Sequence, residues 1–259
     1  MDMSVWKRRA LLAGGALAVG AWVKGAPQLL SLRTPSLDFR DLDDLPPFRE
    51  LTAAGTITTN QPIFAGLSNG DAVSAAARVL AQDIRDHPCD ALYGDPVPGR
   101  IPVAVFSDFR CPNCRVMDVR LSEIEQDMPD RFYIVRHELP ILGDASIIAS
   151  RAVLAAQRQG AYSEMYARLI RTPAVTDLAY VSQVASSIGL DIEAFQSDMQ
   201  SSRTTDQLLR SKAVASLFDF IGTPAFVVGR TAFLGTVTTS LFKALIGVET
   251  DRPCDAAVT

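Results

Sequence analysis

The stretch from Ile101 to His137 constrains the fold more than any other part of the chain. Ile101-Pro102-Val103-Ala104-Val105-Phe106 is a short apolar, β-branched run between Pro98-Gly99-Arg100 and Ser107-Asp108, the pattern of a buried strand. Pro112 to Met128 reads as a helix with Val116, Val119, Ile124 and Met128 facing inward and Pro129 ending it. Arg131 to His137 (RFYIVRH) is a second buried strand. Strand, helix, strand at this spacing is a βαβ unit, which implies a parallel pair with a right-handed crossover.

A block of helices follows. Asp144 can cap one that ends at Gly160. Tyr162, Met165, Tyr166, Leu169 and Ile170 repeat at helical spacing and form a buried face that stops before Pro173. Thr176 is expected to cap a helix with Leu178, Val181, Ala185 and Ile188 inward; Asp191 opens a short one, and Asp206 to Phe220 closes the block. The chain returns to strand at Ala225–Val228, turns at Gly229-Arg230, and runs on through Thr231 to Leu234. Thr239 or Ser240 caps a last helix. The aromatic and Met stripe in the block reads as core.

Before Ile101 the pattern is weak. Lys7, Arg8 and Arg9 precede an apolar run from Ala10 to Val23, the layout of an export signal. At 1.5 Å per residue, the run reaches only ~21 Å, short of a ~30 Å hydrocarbon core. Arg8-Arg9 also fits a twin-arginine signal. No clean Ala-x-Ala cleavage site stands at its end, so the segment is read as an export signal or a membrane anchor with its basic end cytoplasmic. From Ala26 to Arg100 prolines punctuate a spacer and a small appendage, in which Asp71 can cap a helix carrying Val73, Ala76, Ala77 and Leu80. The 259 residues carry 25 Lys+Arg against 29 Asp+Glu, a net charge of −4, which argues against a nucleic-acid partner.

Four cysteines are too few to build a fold of this size, so the core must be hydrophobic. Cys111 and Cys114 form a C-x-x-C at the strand-to-helix junction. The first turn of a helix offers unpaired N–H groups and the positive end of the macrodipole, both of which favour a thiolate. Pro112 suits the first helical position because its missing N–H would be unpaired anyway. Cys111 is therefore expected to be the exposed, acidic thiol and Cys114, one turn inside, its resolving partner. Thiols so placed fall to about 3.5–7.5 from about 8.5. A structural disulfide here closes almost no chain. A zinc site needs about four ligands, and no second C-x-x-C or H-x-x-x-H exists. A copper carrier using Cys111, Cys114 and either Met117 or His137 is the alternative from another class. Asp108 reads as a solvated or capping residue. Cys89 and Cys254 flank this region and are candidates for a structural bridge.

FSDFRCPNCRVM, ELPILGDASIIASRAVLAA and DFIGTPAFVVG resemble the DsbA-like branch of the thioredoxin superfamily, over roughly Ile101 to Gly247. The resemblance implies an α/β thioredoxin fold interrupted by a helical insertion, here about 144–219. It also implies a cis peptide before Pro224 beside the cysteines, with Thr223 offering extended backbone to a substrate chain. Two departures stand out. Val105 occupies the place, six residues before the first cysteine, where family members often carry a buried carboxylate. Asn113 stands between the cysteines where strong oxidases tend to have His, so it brings no positive charge to the thiolate.

The expected organisation is an export signal or anchor over 1–26, a linker and appendage over 27–100, a DsbA-like domain over 101–247 and a C-terminal tail over 248–259. The expected function is thiol:disulfide exchange on exported proteins, with oxidation favoured slightly over reduction. Cys111 and Cys114 react, Thr223 and Pro224 hold the client, and Pro112 and Asn113 neighbour the thiols. No cofactor or metal is needed, because the electrons sit in the sulfur pair. The expected partners are exported clients and a membrane redox protein that recycles the dithiol. The location is periplasmic or cell-envelope. A non-catalytic interaction protein on the same fold is the remaining alternative.

Overall fold

The computed structural model describes residues 36–52, 75–172 and 177–254, and all of their helices and strands lie in one compact unit, Leu37–Thr259. The expected signal or anchor over 1–26 falls outside the described residues, as do the caps assigned to Asp71 and Thr176. Among the described residues no helix is long and apolar enough to cross a membrane.

Two short strands, β1 (Phe39–Asp41) and β2 (Arg49–Leu51), precede helices α1 (Ala75–Ile84) and α2 (Pro88–Tyr93). Next come β3 (Ile101–Ser107), α3 (Pro112–Asp127) and β4 (Phe132–Glu138). Five helices follow: α4 (Asp144–Arg158), α5 (Tyr162–Arg171), α6 (Leu178–Ser187), α7 (Ile192–Gln200) and α8 (Ser202–Leu217). The hairpin β5 (Ala225–Val228) and β6 (Thr231–Leu234) and helix α9 (Thr239–Val248) complete the unit.

One sheet runs β1-β2-β6-β5-β3-β4. β3 pairs parallel with β4, Ile101 opposite Phe132, and antiparallel with β5, so the expected βαβ unit and hairpin share a sheet. Every residue of β3 is buried, which is why its sequence is a continuous apolar run rather than an alternation. Val103, Val105, Phe226 and Phe233 face α3 and α9, while Ala104, Phe106 and Val227 face α8 and α2. A third core joins α4 to α7 around Met165, Val181 and Phe195.

The structure departs from the sequence reading at several points. The helix expected from Asp206 begins at Ser202, Gly143 rather than Asp144 is the N-cap residue of α4, and α9 is capped by Thr238, whose hydroxyl accepts from the Leu241 N–H at 3.2 Å, rather than by Thr239 or Ser240. The appendage contributes strands: β2 lies parallel to β6 and extends the sheet, with β1 outside it. These strands are three residues long and charged, so they carry no periodic signal. In α3, Ile124 and Met128 pack inward as expected, but the first turns do not follow the expected face. Val116 and Val119 are 45% and 59% exposed, and the inward stripe is Cys114, Met117, Leu121 and Ile124. The stripe begins at a cysteine, which a count of aliphatic residues passes over. Lastly, α6 is capped by Asp177, whose carboxylate accepts from the Tyr180 N–H at 2.7 Å, and Leu178 faces out.

The C-terminal segment is anchored as far as Cys254. The buried Glu249 carboxylate accepts from the Arg49 guanidinium at 2.7 Å, the Thr231 hydroxyl at 2.6 Å and the Arg230 N–H at 3.0 Å. It lies so close to Gly229 that a Cβ there would overlap it, and Gly229 also has a φ of 54°. Cys254 forms a disulfide with Cys89 on α2 across 165 residues, with Cα atoms 6.3 Å apart. A loop that long restrains the unfolded chain strongly. Replacing both cysteines by Ser is expected to lower the unfolding free energy by about 4 kcal/mol in a urea titration. An unchanged midpoint would mean that the cross-link restrains nothing.

Candidate active site

The end of β3 sets the site. Beyond Ser107 the chain leaves the sheet through Asp108-Phe109-Arg110 and enters α3 at Cys111, its N-cap residue, with Pro112 in the first turn. Phe109 inserts into the helical core and stacks obliquely on Tyr166, with ring centroids 5.4 Å apart. Asp108 is fully buried, which corrects its reading as a solvated residue. Its carboxylate accepts from the Arg110 N–H at 2.8 Å and the Ser146 hydroxyl at 2.7 Å. On the other oxygen it accepts from the Ile141 and Leu142 N–H groups at 2.8 and 3.0 Å. Four donors satisfy the hydrogen-bonding capacity of this buried carboxylate. It pins the loop before Cys111 to the entrance of the helical insertion.

Cys111 and Cys114 are free thiols. Both are buried, at 5% and 3% exposure, so Cys111 is less accessible than the sequence suggests. Part of its cover is the loop before β5, where its thiol donates to the Thr223 carbonyl at 3.2 Å. The Thr223–Pro224 peptide is cis. The structure thus brings Cys111, Pro112, Asn113, Cys114, Thr223 and Pro224 together, and places Cys89 and Cys254 elsewhere, against α2.

The two thiols differ sharply. Hydrogen bonding from the Cys114 thiol holds the Cys111 thiol down at about 6, against the resistance of burial. The Thr223 hydroxyl and the Cys114 and Asn113 N–H groups add to the lowering. Asn113 therefore acts through its backbone, and its side chain is exposed. Burial, followed by the hydrogen bond it gives to Cys111, drives the Cys114 thiol far upward. The Asp108 N–H is turned to its sulfur and opposes that rise. The Arg115 guanidinium donates to the Phe109 carbonyl at 3.2 Å.

The copper set does not assemble. Met117 is in the core beneath α3. His137 lies on the opposite face of the sheet, stacked on Phe106 at 4.6 Å, with Nε2 bonded to the Leu92 carbonyl at 2.9 Å and burial lowering its pKa to about 4. Among the described residues no group of three or more His, Cys, Asp and Glu side chains could hold a metal.

Sequence reasoning missed a polar cluster at the C-terminal end of β4. The Arg136 guanidinium donates to the Tyr166 hydroxyl at 2.7 Å and to Asp118 of α3 at 3.1 Å. Two residues on, the buried Glu138 carboxylate accepts from the Tyr162 hydroxyl through Oε1. Oε2 has no hydrogen-bond partner among the described residues. Burial raises Glu138 to about 7, against the Tyr162 hydrogen bond. The tyrosines were legible as a helical stripe, but nothing in the sequence distinguishes this glutamate from an exposed one.

A dithiol at a helix N-terminus beside the Thr223–Pro224 loop, on a sheet of this order, has the form of a thioredoxin-like domain. The chain belongs to the family of DSBA-like thioredoxin domains, whose model matches residues 102–247. It is similar to a thioredoxin-like oxidoreductase from Silicibacter pomeroyi, at 32% identity and a TM-score of 0.57, over 61% of this chain and 95% of that one. The thiol-disulfide exchange protein alpha-DsbA2 from Wolbachia pipientis shares the fold at 17% identity, with a TM-score of 0.56, over 67% and 97% of the two chains. A curated relative, a Na(+)/H(+) antiporter NhaA 3 from Salinispora tropica, is 29% identical over 135 residues, 51% of this chain. The chain spans about a fifth of that relative's length (21%), so the likeness is that of one domain.

Two outcomes follow from this geometry. In the reduced protein, thiolate absorbance should titrate near pH 6 and vanish in Cys111→Ser. Because Cys111 is depressed below the ordinary thiol value near 9, the stability it gives is complete above that value and lost as pH falls through 6. Reduced-minus-oxidised stability should thus climb between pH 6 and 9, then fall as Cys114 resists ionisation; a flat profile contradicts this. Asp108→Asn should cost about 3 kcal/mol in urea unfolding of the oxidised protein. A loss below about 0.5 kcal/mol, the range of ordinary surface substitutions, would remove the carboxylate from its organising place.

Proposed function

We propose that this chain is a thiol:disulfide oxidoreductase of exported proteins, acting through Cys111 and Cys114 as a disulfide donor. The observation that carries the reading is the unequal pair: an acidic Cys111 at the helix N-terminus beside a buried Cys114 that resists ionisation. A client thiolate attacks the Cys111 sulfur of the disulfide, and the Cys111–Cys114 bond breaks with Cys114 leaving. The client's second thiol then attacks the client sulfur of the mixed disulfide, and Cys111 leaves as a thiolate. The client loses two electrons and two protons, and the Cys111–Cys114 pair gains the electrons. Stabilising the Cys111 thiolate favours the reduced form and so makes the disulfide oxidising.

The surroundings suit a polypeptide client. Ile221, 77% exposed, precedes the Thr223 loop, Val116 is exposed on α3, and Ile141 and Leu142 are partly exposed at the insertion. Ile221 lies two residues before Thr223, Val116 two after Cys114, and Ile141 and Leu142 donate their N–H groups to Asp108, so these apolar groups would take the side chains of an incompletely folded chain. Thr223 and Pro224 would hold its backbone. Proteins of the DsbA-like family act on exported substrates with redox partners. Residues 1–26 are proposed to carry this chain out of the cytoplasm, and a membrane redox protein to reoxidise it.

The test is equilibration in graded glutathione buffers with the thiols trapped and read by peptide mass. The donor reading expects a Cys111–Cys114 midpoint in or above the range of about −180 to −120 mV. A midpoint below about −230 mV would make the protein a reductase. A pair that never exchanges with glutathione would reduce it to a binding module.

A further inference from the structure

Resolution of a mixed disulfide by Cys114 has a difficulty that the structure makes plain. Cys114 is buried and strongly resists ionisation, yet it must lose its proton to attack. That proton needs a nearby acceptor, and three buried titratable groups stand near the end of β3. Both Asp108 oxygens are occupied by donors. His137 faces the opposite layer with Nε2 engaged by Leu92. Glu138 alone has a bare oxygen, Oε2, in the interior.

Its position fits the task. Glu138 pairs with Ser107 in the parallel β3–β4 register. Ser107 immediately precedes Asp108, whose N–H is turned to the Cys114 sulfur. The backbone of Glu138 is therefore one strand spacing, about 4.8 Å, from Ser107, one residue before the N–H that touches the thiol, and its carboxylate feels the charge of Asp108. The groups facing it are Asp108 at the end of β3, Arg136 on its own strand, Tyr162 and Tyr166 on α5 and, through Arg136, Asp118 on α3.

We propose that Glu138 receives the Cys114 proton, through a single water, when Cys114 attacks a mixed disulfide at Cys111. In this step the Cys114 S–H bond breaks and its proton goes to Glu138 Oε2. The thiolate forms the Cys111–Cys114 bond, and the partner leaves as a thiolate that takes the proton back. In the opposite direction Glu138 supplies the proton to the departing Cys114. The inference rests on the thiol:disulfide exchange reading. Burial keeps Glu138 half-protonated near neutrality, able to act either way.

The experiment follows the reduced full chain mixed with oxidised glutathione, acid-quenched and resolved by mass. It separates the second-order attack by Cys111 from the first-order release of glutathione. In the unaltered chain the release rate should rise with pH through an inflection near 7, where Glu138 becomes a free base. Glu138→Gln should slow release by about 10²-fold at pH 7 and abolish the inflection, leaving the Cys111 attack rate within about twofold. Tyr162→Phe removes the hydrogen bond that lowers Glu138 and should move the inflection to higher pH, and it serves as the readout if Glu138→Gln does not fold. Release by folded Glu138→Gln at the original rate and pH profile would overturn the assignment, as would an unmoved inflection in Tyr162→Phe. No exchange at all in the unaltered chain would overturn the exchange reading itself, and this assignment with it.

Discussion

The buried carboxylate of Asp108 is the interaction on which the rest of the site depends. β3 ends inside the molecule, and the chain must turn there without leaving backbone donors unpaired. Asp108 receives the Arg110 N–H within the turn and the Ile141 and Leu142 N–H groups and the Ser146 hydroxyl from the insertion. The same residue offers its carbonyl to the Cys111 N–H at 3.0 Å and turns its N–H to the Cys114 sulfur. One residue thus fixes the redox loop, the entry to α4 and the environment of both thiols. Phe109, driven into the helical core, makes the joint rigid by packing.

With the loop held there, the chemistry of the thiols follows from position. At the N-cap of α3, Cys111 meets the free N–H groups of the first turn. Cys114, three residues on, is carried under the helix, where burial favours the neutral thiol. The two shifts come from one geometry. The Thr223 carbonyl closes over Cys111 from the loop before β5, and β5 is held against β3 by four register pairs. The sheet thus positions both halves of the site.

Much of this was legible beforehand. The β-branched run at Ile101, the C-x-x-C behind it and the apolar hairpin at Ala225 mark the central strands and the dithiol because burial on both faces leaves a continuous hydrophobic signature. The phase of the first turns of α3 was not legible, since its inward stripe opens on Cys114 and Met117 while the conspicuous Val116 and Val119 face out. Asp108 and Glu138 were hidden for a common reason. A carboxylate's burial is decided by donors from distant segments, Ile141 and Ser146 for one and Tyr162 for the other, and no local pattern records them. β1 and β2 are too short and charged to read; Arg49 secures β2 through Thr231 and Glu249 nearly two hundred residues away.

The central claim is that Cys111 is the sulfur that bonds to the partner chain. The most direct measurement is to incubate folded, reduced Cys114→Ser chain with a peptide containing a disulfide and map any covalent adduct by peptide mass. The account predicts a stable mixed disulfide on Cys111, absent when Cys111 is also replaced by Ser. A folded Cys114→Ser chain that captures no peptide at Cys111 would contradict it.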